Sequence, residues 1–265
     1  MPFSILGKAT LITGGTAGIG FATAKHFAEQ GAKVVISGRR DNGGEIAKSI
    51  GCHFIQTDMT KPDDIETLFS KAVEHLGKLD VVINNAGQGG GIRDIADADM
   101  DQYDEVVTVN MRAAYLVMKL ASGHMNDGGS IINTASVSGM EGEIGMSTYC
   151  ATKAALISLT QTAALELASR GIRVNAISPG PVKSEIWGGE DPIESCKITI
   201  PLGRIGEADE VATAFHFLAS NAASFITGAN LPVDGGYMSG SMTRKTEGLI
   251  EATLHYSRSI YRWTL

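Results

Sequence analysis

A short apolar run, A9-T-L-I12, leads directly into T13-G-G-T-A-G-I-G20 and then into a helical pattern. A strand, a tight turn and a helix start in that order leave little freedom for the first third of the chain. Gly14 supplies a turn with φ > 0, Gly18 lets backbone approach a pyrophosphate, and Gly20 lets the helix pack closely on the sheet. Thr16 and Ile19 belong to the same turn. The spacing is G-x-x-x-G-x-G, not the common G-x-G-x-x-G fingerprint, so a plain βα turn is the alternative. After the turn, Ile19, Ala22, Thr23, His26, Phe27 and Gln30 share one helical face, and Gly31 ends it.

The alternation continues along the chain. Further strands are expected at Lys33–Ser37, His53–Gln56, Leu79–Ile83, Ser130–Asn133, Arg173–Ile177 and Asn230–Val233. Helices are expected at Pro62–Leu76, Met100–Ala121, Tyr149–Ser169 and Glu207–Ser220. Apolar strands separated by crossover helices imply a parallel sheet covered on both faces. The expected fold is α/β: a single Rossmann-like, doubly wound domain over residues 1–240, with about seven strands.

Bulk properties remove several function classes. A net charge of −7 argues against nucleic acid or an anionic membrane surface as partner. No run approaches the ~18 apolar residues that span a bilayer, and the N-terminus has no signal-peptide pattern. Three scattered cysteines and six dispersed histidines give no metal spacing and fit a reducing, cytoplasmic setting.

Y149-C-A-T-K153 places Tyr149 and Lys153 one helical turn apart on one face. A lysine ammonium there favours phenolate and lowers a phenol pKa from about 10, giving an acid/base suited to neutral pH. Surface helices also carry such pairs without function, so Ser136, thirteen residues upstream, and the glycine turn give the pair its meaning. At the end of the second strand, V34-V-I-S-G-R-R40 offers Arg39 and Arg40 where an acidic residue would bind the ribose of NAD. Guanidinium groups suit a 2′-phosphate, so NADP (NADPH) is favoured and NAD remains possible.

Together these motifs resemble the short-chain dehydrogenase/reductase family over residues 5–238. T13-G-G-T-A-G-I-G20 resembles its cofactor turn and N84-N-A-G87 its motif after the fourth strand. Asn110, Ser136, Tyr149 and Lys153 resemble its catalytic tetrad, and I172-R-V-N-A-I-S-P-G180 its strand and turn over the nicotinamide. L202-G-R-I-G206 and I226-T-G-A-N-L-P-V-D-G-G236 resemble its C-terminal core. The resemblance implies that Tyr149 exchanges a proton with a carbonyl or alcohol oxygen, and that Lys153 tunes it and binds the nicotinamide ribose. It implies that Ser136 donates to the developing oxyanion and Asn110 holds a water. Cofactor contacts are implied at Gly14, Thr16, Gly18, Ile19, Gly20, Arg39, Arg40, Asp58, Met59, Asn84, Asn85, Ala86, Gly87, Tyr149 and Lys153. Pro179, Gly180, Val182 and Ser184 complete that set, Ser184 standing where the family often has threonine. Asn175 reads as structural.

The family geometry also places Q88-G-G-G-I92 and the loop carrying Glu141 and Glu143 beside the substrate. It puts a lid at about 184–200, where Ile186 and Trp187 cover ligand and Gly188 and Gly189 permit movement. Cys150 reads as a packing residue. Residues 241–265 extend past the family's usual end and suit an arm on a neighbouring subunit. A homotetramer or dimer built through the helix of Ala151, Ala154 and Ala155 is expected. The implied activity is NADP(H)-dependent hydride transfer between a small-molecule ketone and a secondary alcohol. Alternatives are a 3-oxoacyl-[acyl-carrier-protein] reductase, with Arg170 and Arg173 at a docking surface, or a catalytically silent dinucleotide sensor or scaffold.

Overall fold

The computed structural model describes residues 1–183 and 193–240. The chain begins β1 (Ala9–Ile12), α1 (Gly18–Glu29), β2 (Lys33–Gly38), α2 (Gly43–Ser49), β3 (His53–Gln56), α3 (Pro62–Leu76) and β4 (Leu79–Asn84). It continues α4 (Met100–Val107), α5 (Ala114–His124), β5 (Met125–Thr134), α6 (Ser147–Leu167), β6 (Arg173–Pro179), α7 (Ile193–Thr199), α8 (Ala208–Ala219) and β7 (Asn230–Val233).

The seven strands form one parallel sheet in the order β3-β2-β1-β4-β5-β6-β7. Successive side chains alternate between faces, and the register aligns them in rows. Val35, Leu11, Val82, Ile131 and Val174 are neighbours across five strands and pack with α3, α5 and α6. One residue further along, Ile36, Ile12, Ile83 and Ile132 make the row for the opposite face, which packs with α1 and α8. Both faces are therefore dry, as the near-continuous apolar strands require. This is the expected Rossmann-like, doubly wound α/β architecture. Strand order reverses between β1 and β4, and a crevice at the carboxyl ends of strands opens at such a point.

Three expectations need adjustment. The helix expected over Met100–Ala121 is interrupted: α4 ends at Val107, and Thr108–Ala113 form a π-helical turn before α5. Such a widened turn is common at functional sites. β5 begins five residues earlier than the apolar run Ser130–Asn133, and α2 was not anticipated. Within the segment expected to form a lid, Ile193–Thr199 are helical. Ser184, Ile186, Trp187, Gly188, Gly189 and the extension 241–265 lie outside the described residues. Among the described residues, no helix is long and apolar enough to cross a membrane.

The core also contains a polar thread. Asn84 Nδ2 donates to Asn133 Oδ1 at 2.9 Å and to the Ala114 carbonyl at 3.0 Å, and Asn133 Nδ2 donates to Thr160 Oγ1 at 2.8 Å. All three residues are buried, so their groups must satisfy one another. The thread fastens β4 and β5 to α5 and α6 directly beneath the crevice.

Candidate active site

The glycine turn is built by close backbone approach. Gly14 has φ +67°, and a Cβ there would lie 3.0 Å from Ala86 Cα. A Cβ on Gly20 would lie 2.2 Å from the Gly14 carbonyl oxygen. Thr13 Oγ1 accepts from the backbone N–H of both Asn85 (2.9 Å) and Ala86 (3.0 Å), while Asn85 Nδ2 donates to the Thr13 carbonyl at 3.0 Å. The turn after β1 and the N84-N-A-G87 segment are thus locked together. Asn84 and Asn85 divide the labour: Asn84 turns into the core, and Asn85 holds the turn.

The residue that precedes α1 at the N-cap is Ala17, whose side chain supplies no cap. The first N–H groups of a helix have no intrahelical partner and present the positive end of its dipole. With Gly14 and Gly20 clearing the approach, this cradle fits a dinucleotide's phosphates. Thr16 packs on Gly38, where an added Cβ would come 2.8 Å from Thr16 Oγ1. Ile19 packs against the apolar cluster under α1.

Beyond β2, Arg39 and Arg40 are exposed. Asp58 follows β3, and its Oδ1 accepts from Thr60 N–H at 3.0 Å and Thr60 Oγ1 at 2.8 Å. The Thr60 backbone hydrogen bond is the largest influence holding its carboxyl below the usual range; the Arg39 charge adds a smaller one. Met59 is buried in the core cluster. On the far side, a Cβ on Gly180 would press on Asp234 Cα at 2.9 Å, and buried Val182 bridges to Gly206. Asn175 bonds the Ile226 carbonyl and the Ala229 N–H, a structural role as expected.

The four polar residues of the expected tetrad converge at the rim. The π turn delivers Asn110, whose Oδ1 accepts from Gln88 N–H at 2.9 Å and whose Nδ2 donates to the Gln88 carbonyl at 2.8 Å. A Cβ on Gly87 would sit 3.2 Å from Asn110 Oδ1 and 3.4 Å from Lys153 Nζ. Lys153 is buried; its Nζ donates to the Thr134 carbonyl at 2.7 Å and lies 5.5 Å from the Tyr149 ring centre. Burial pushes the Lys153 pKa down to about 8.

Tyr149 corrects one expectation. Its pKa is raised, with burial the largest cause; a hydrogen bond with Ser136 opposes the rise and the Glu143 charge adds to it. The i, i+4 spacing brings Lys153 near the ring, but its Nζ is committed to Thr134 and is itself harder to charge. Burial, not the lysine, therefore sets the direction of the shift. Ser136 Oγ contacts Ser138 Oγ at 3.1 Å, and Ser138 Oγ donates to Glu143 Oε1 at 2.9 Å. Glu143, unlike exposed Glu141, is therefore wired into the site. The individual roles of Thr13, Gln88, Thr134 and Ser138 were not anticipated; they act through backbone groups and hydroxyls, which no periodicity marks. Beside Tyr149 a cleft is lined by Gly90, Arg93, Asp99, Gln102 and Tyr103.

A family model described as enoyl-(acyl carrier protein) reductase matches residues 14–238. A 2,5-dichloro-2,5-cyclohexadiene-1,4-diol dehydrogenase of Sphingobium indicum is 38% identical over 251 residues, covering 89% of this chain and 98% of its own. The chain belongs to the short-chain dehydrogenase/reductase family. Rabbit (Oryctolagus cuniculus) L-fucose dehydrogenase is 37% identical over 246 residues, covering 89% of this chain and 86% of its own. Among solved structures, a Mycobacterium marinum short-chain type dehydrogenase/reductase superposes with a TM-score of 0.85 at 33% identity, covering 90% and 98% of the two chains. A blue fluorescent protein from a metagenomic library, in complex with NADPH, gives 0.83 at 30% identity, covering 88% and 99%. This short-chain dehydrogenase/reductase is an NAD(P)-dependent oxidoreductase acting on CH–OH groups.

Proposed function

We propose that the protein transfers hydride between NADP(H) and a small-molecule ketone or secondary alcohol, with Tyr149 as the acid/base. The observation that carries this reading is the convergence of buried Ser136 and Lys153 on Tyr149, which lines the cleft, in a fold whose first helix has no side-chain cap at its N-terminus. The cofactor, when bound, supplies or accepts the hydride. Tyr149 gives its hydroxyl proton to a carbonyl oxygen, or takes one from an alcohol. Ser136 donates to the oxygen as negative charge develops, which favours the transition state over the ground state. Lys153, held by Thr134, sets the electrostatic background, and Asn110 fixes the Gln88 backbone at the cleft wall. A raised Tyr149 pKa keeps the phenol protonated near neutrality, the form that serves carbonyl reduction.

NADP is favoured by exposed Arg39 at the end of β2, near Thr16 and Asp58. Relatives named for cyclic diol and fucose oxidation suggest a hydroxylated ring substrate. The carrier-protein reading is weaker, since Arg170 is committed to Asp127 and to the Ser122 and Met125 carbonyls, and Arg173 bonds the Ser220 carbonyl. Residues 1–240 act as one domain, and Ala151, Ala154 and the 81%-exposed Leu165 on α6 offer a face for a dimer or tetramer. The test is a spectrophotometric screen of NADPH and NADH oxidation with a panel of ketones and quinones. NADPH turnover that exceeds NADH turnover, with the preference narrowed in Arg39→Ala, supports the reading. Equal use of both cofactors by wild type and variant would reject the NADP assignment.

A further inference from the structure

The cleft beside Tyr149 holds a cation that nothing in the protein answers. Arg93 lines it, and the Arg93 side chain has no hydrogen-bond or ion-pair partner among the described residues. The Gln102 amide and the N–H groups of Gly90 and Gly91, on the same lining, are without partners in the same sense. Among the described residues, Asp99 is the one acidic side chain on the lining. Its Oδ1 already accepts the Asp101 N–H at 3.0 Å and the Gln102 N–H at 3.3 Å, as the N-cap of α4. Its charge therefore faces the positive end of a helix dipole, and no ion pair joins it to Arg93.

We propose that Arg93 is a specificity-determining residue that selects substrates carrying a carboxylate remote from the reacting carbonyl or alcohol. This rests on the hydride-transfer reading of the same cleft. A guanidinium matches a carboxylate with two parallel N–H···O bonds, which fix orientation as well as charge. The cleft encloses about 360 Å³, near the lower end for ligand sites and suited to a single-ring acid. Asp94, Asp97, Asp101, Asp104 and Glu105 are exposed and lie outside the lining, where water and salt screen their charges. A remote pair of this kind is made equally in the ground state and the transition state, so it lowers KM and leaves kcat to the reacting groups.

The backbone of Arg93 is fixed relative to Tyr149. Its N–H donates to the Gly145 carbonyl at 2.9 Å, just ahead of the first turn of α6, which carries Tyr149. A Cβ on Gly145 would come 2.5 Å from Ile92 Cγ2, so the two loops are in contact there. On the other side, a Cβ on Gly90 would lie 2.5 Å from Val106 Cγ2, and one on Gly91 would lie 3.4 Å from Gln102 Nε2. The glycine loop is thus held between α4 and the segment entering α6. Having no side chains of its own, it leaves the space beside Arg93 to a ligand.

The test compares 4-oxocyclohexanecarboxylate with its methyl ester as substrates of the NADPH complex. Wild type should reduce the acid with a kcat/KM about ten- to hundred-fold above the ester, the difference residing in KM, as one charge-assisted pair provides. Cyclohexanecarboxylate, which has no ketone, should perturb the fluorescence of bound NADPH at lower concentration than cyclohexanecarboxamide. In Arg93→Gln the acid-over-ester ratio should fall to about one, while Arg93→Lys, which keeps the charge without the fork, should retain part of it. Thermal melts with NADPH confirm that each variant is folded. A wild-type ratio near one, or a ratio that survives Arg93→Gln, overturns the proposal. Carboxylate-selective binding that depends on Arg93, in a protein that reduces neither ketone, would support the anion site and reject the hydride-transfer reading instead.

Discussion

Replacing Gly20 by alanine isolates the contribution of the turn to cofactor binding. The new Cβ would lie 2.2 Å from the Gly14 carbonyl oxygen and 2.5 Å from Asn85 Nδ2. Carbon and oxygen approach no closer than about 3.3 Å even in C–H···O contacts, so the turn and α1 must separate by roughly 1 Å. Overpacking of this kind costs about 1–3 kcal/mol, which lowers Tm by roughly 2–10 °C in a chain of this size. The displaced turn should also lose at least one charge-assisted hydrogen bond from the start of α1 to phosphate. That loss is worth about 1.5–3 kcal/mol, or a ten- to hundred-fold weaker Kd. Gly44→Ala is the matched control, because nothing lies within 4 Å of its Cβ and its helical backbone tolerates alanine. NADPH fluorescence titration and thermal melts on both variants provide the measurement. Binding of NADPH to Gly20→Ala at wild-type affinity, or equal weakening in Gly44→Ala, would refute the cradle argument.

Asn133→Ala removes the acceptor of Asn84 and the donor to Thr160 in a buried thread. It should destabilise by about 2–4 kcal/mol, measured by urea unfolding. Lys153 has its folded pKa lowered to about 8, so the unfolded chain binds more protons between about pH 8 and its usual 10.4. Stability relative to Lys153→Met should therefore rise with pH across that window, by about 2 kcal/mol between pH 8 and 10; a flat difference would contradict the burial of the amine. His26 Nε2 lies 2.8 Å from His216 Nδ1, and His216 Nε2 is 2.6 Å from the Phe3 carbonyl. Burial, then the His216 charge, lower the His26 pKa, so stability should fall as pH drops below about 6.5. His26→Leu should show a smaller loss of Tm between pH 7.5 and 5.5.

Much of the framework was legible because period and composition carry it. Leu11 and Ile12 face opposite sides of the sheet, and apolar strands with long crossovers have few arrangements available. The π turn at Thr108–Ala113 was not legible, since one widened turn barely alters the apolar spacing from Met100 to Ala121. α2 opens with Gly43 and Gly44, which read as loop, and the Cβ-free contact of Gly43 with Phe54 appears only in three dimensions. At the site, residue types and order marked Asn110, Ser136, Tyr149 and Lys153. Spacing alone predicted a lowered phenol pKa. It could not register the burial of Tyr149, the Lys153–Thr134 bond, or the turn that carries Ser138 to Glu143.

The central claim is that the Tyr149 hydroxyl proton moves in catalysis, and single-turnover kinetics of Tyr149→Phe test it most directly. The variant removes one oxygen and leaves the ring packing, so folding and NADPH affinity should match wild type. Hydride transfer from bound NADPH to the best ketone of the panel should slow by at least about 10²-fold, the lower range for loss of a general acid. An unchanged transfer rate with intact cofactor binding would contradict the account.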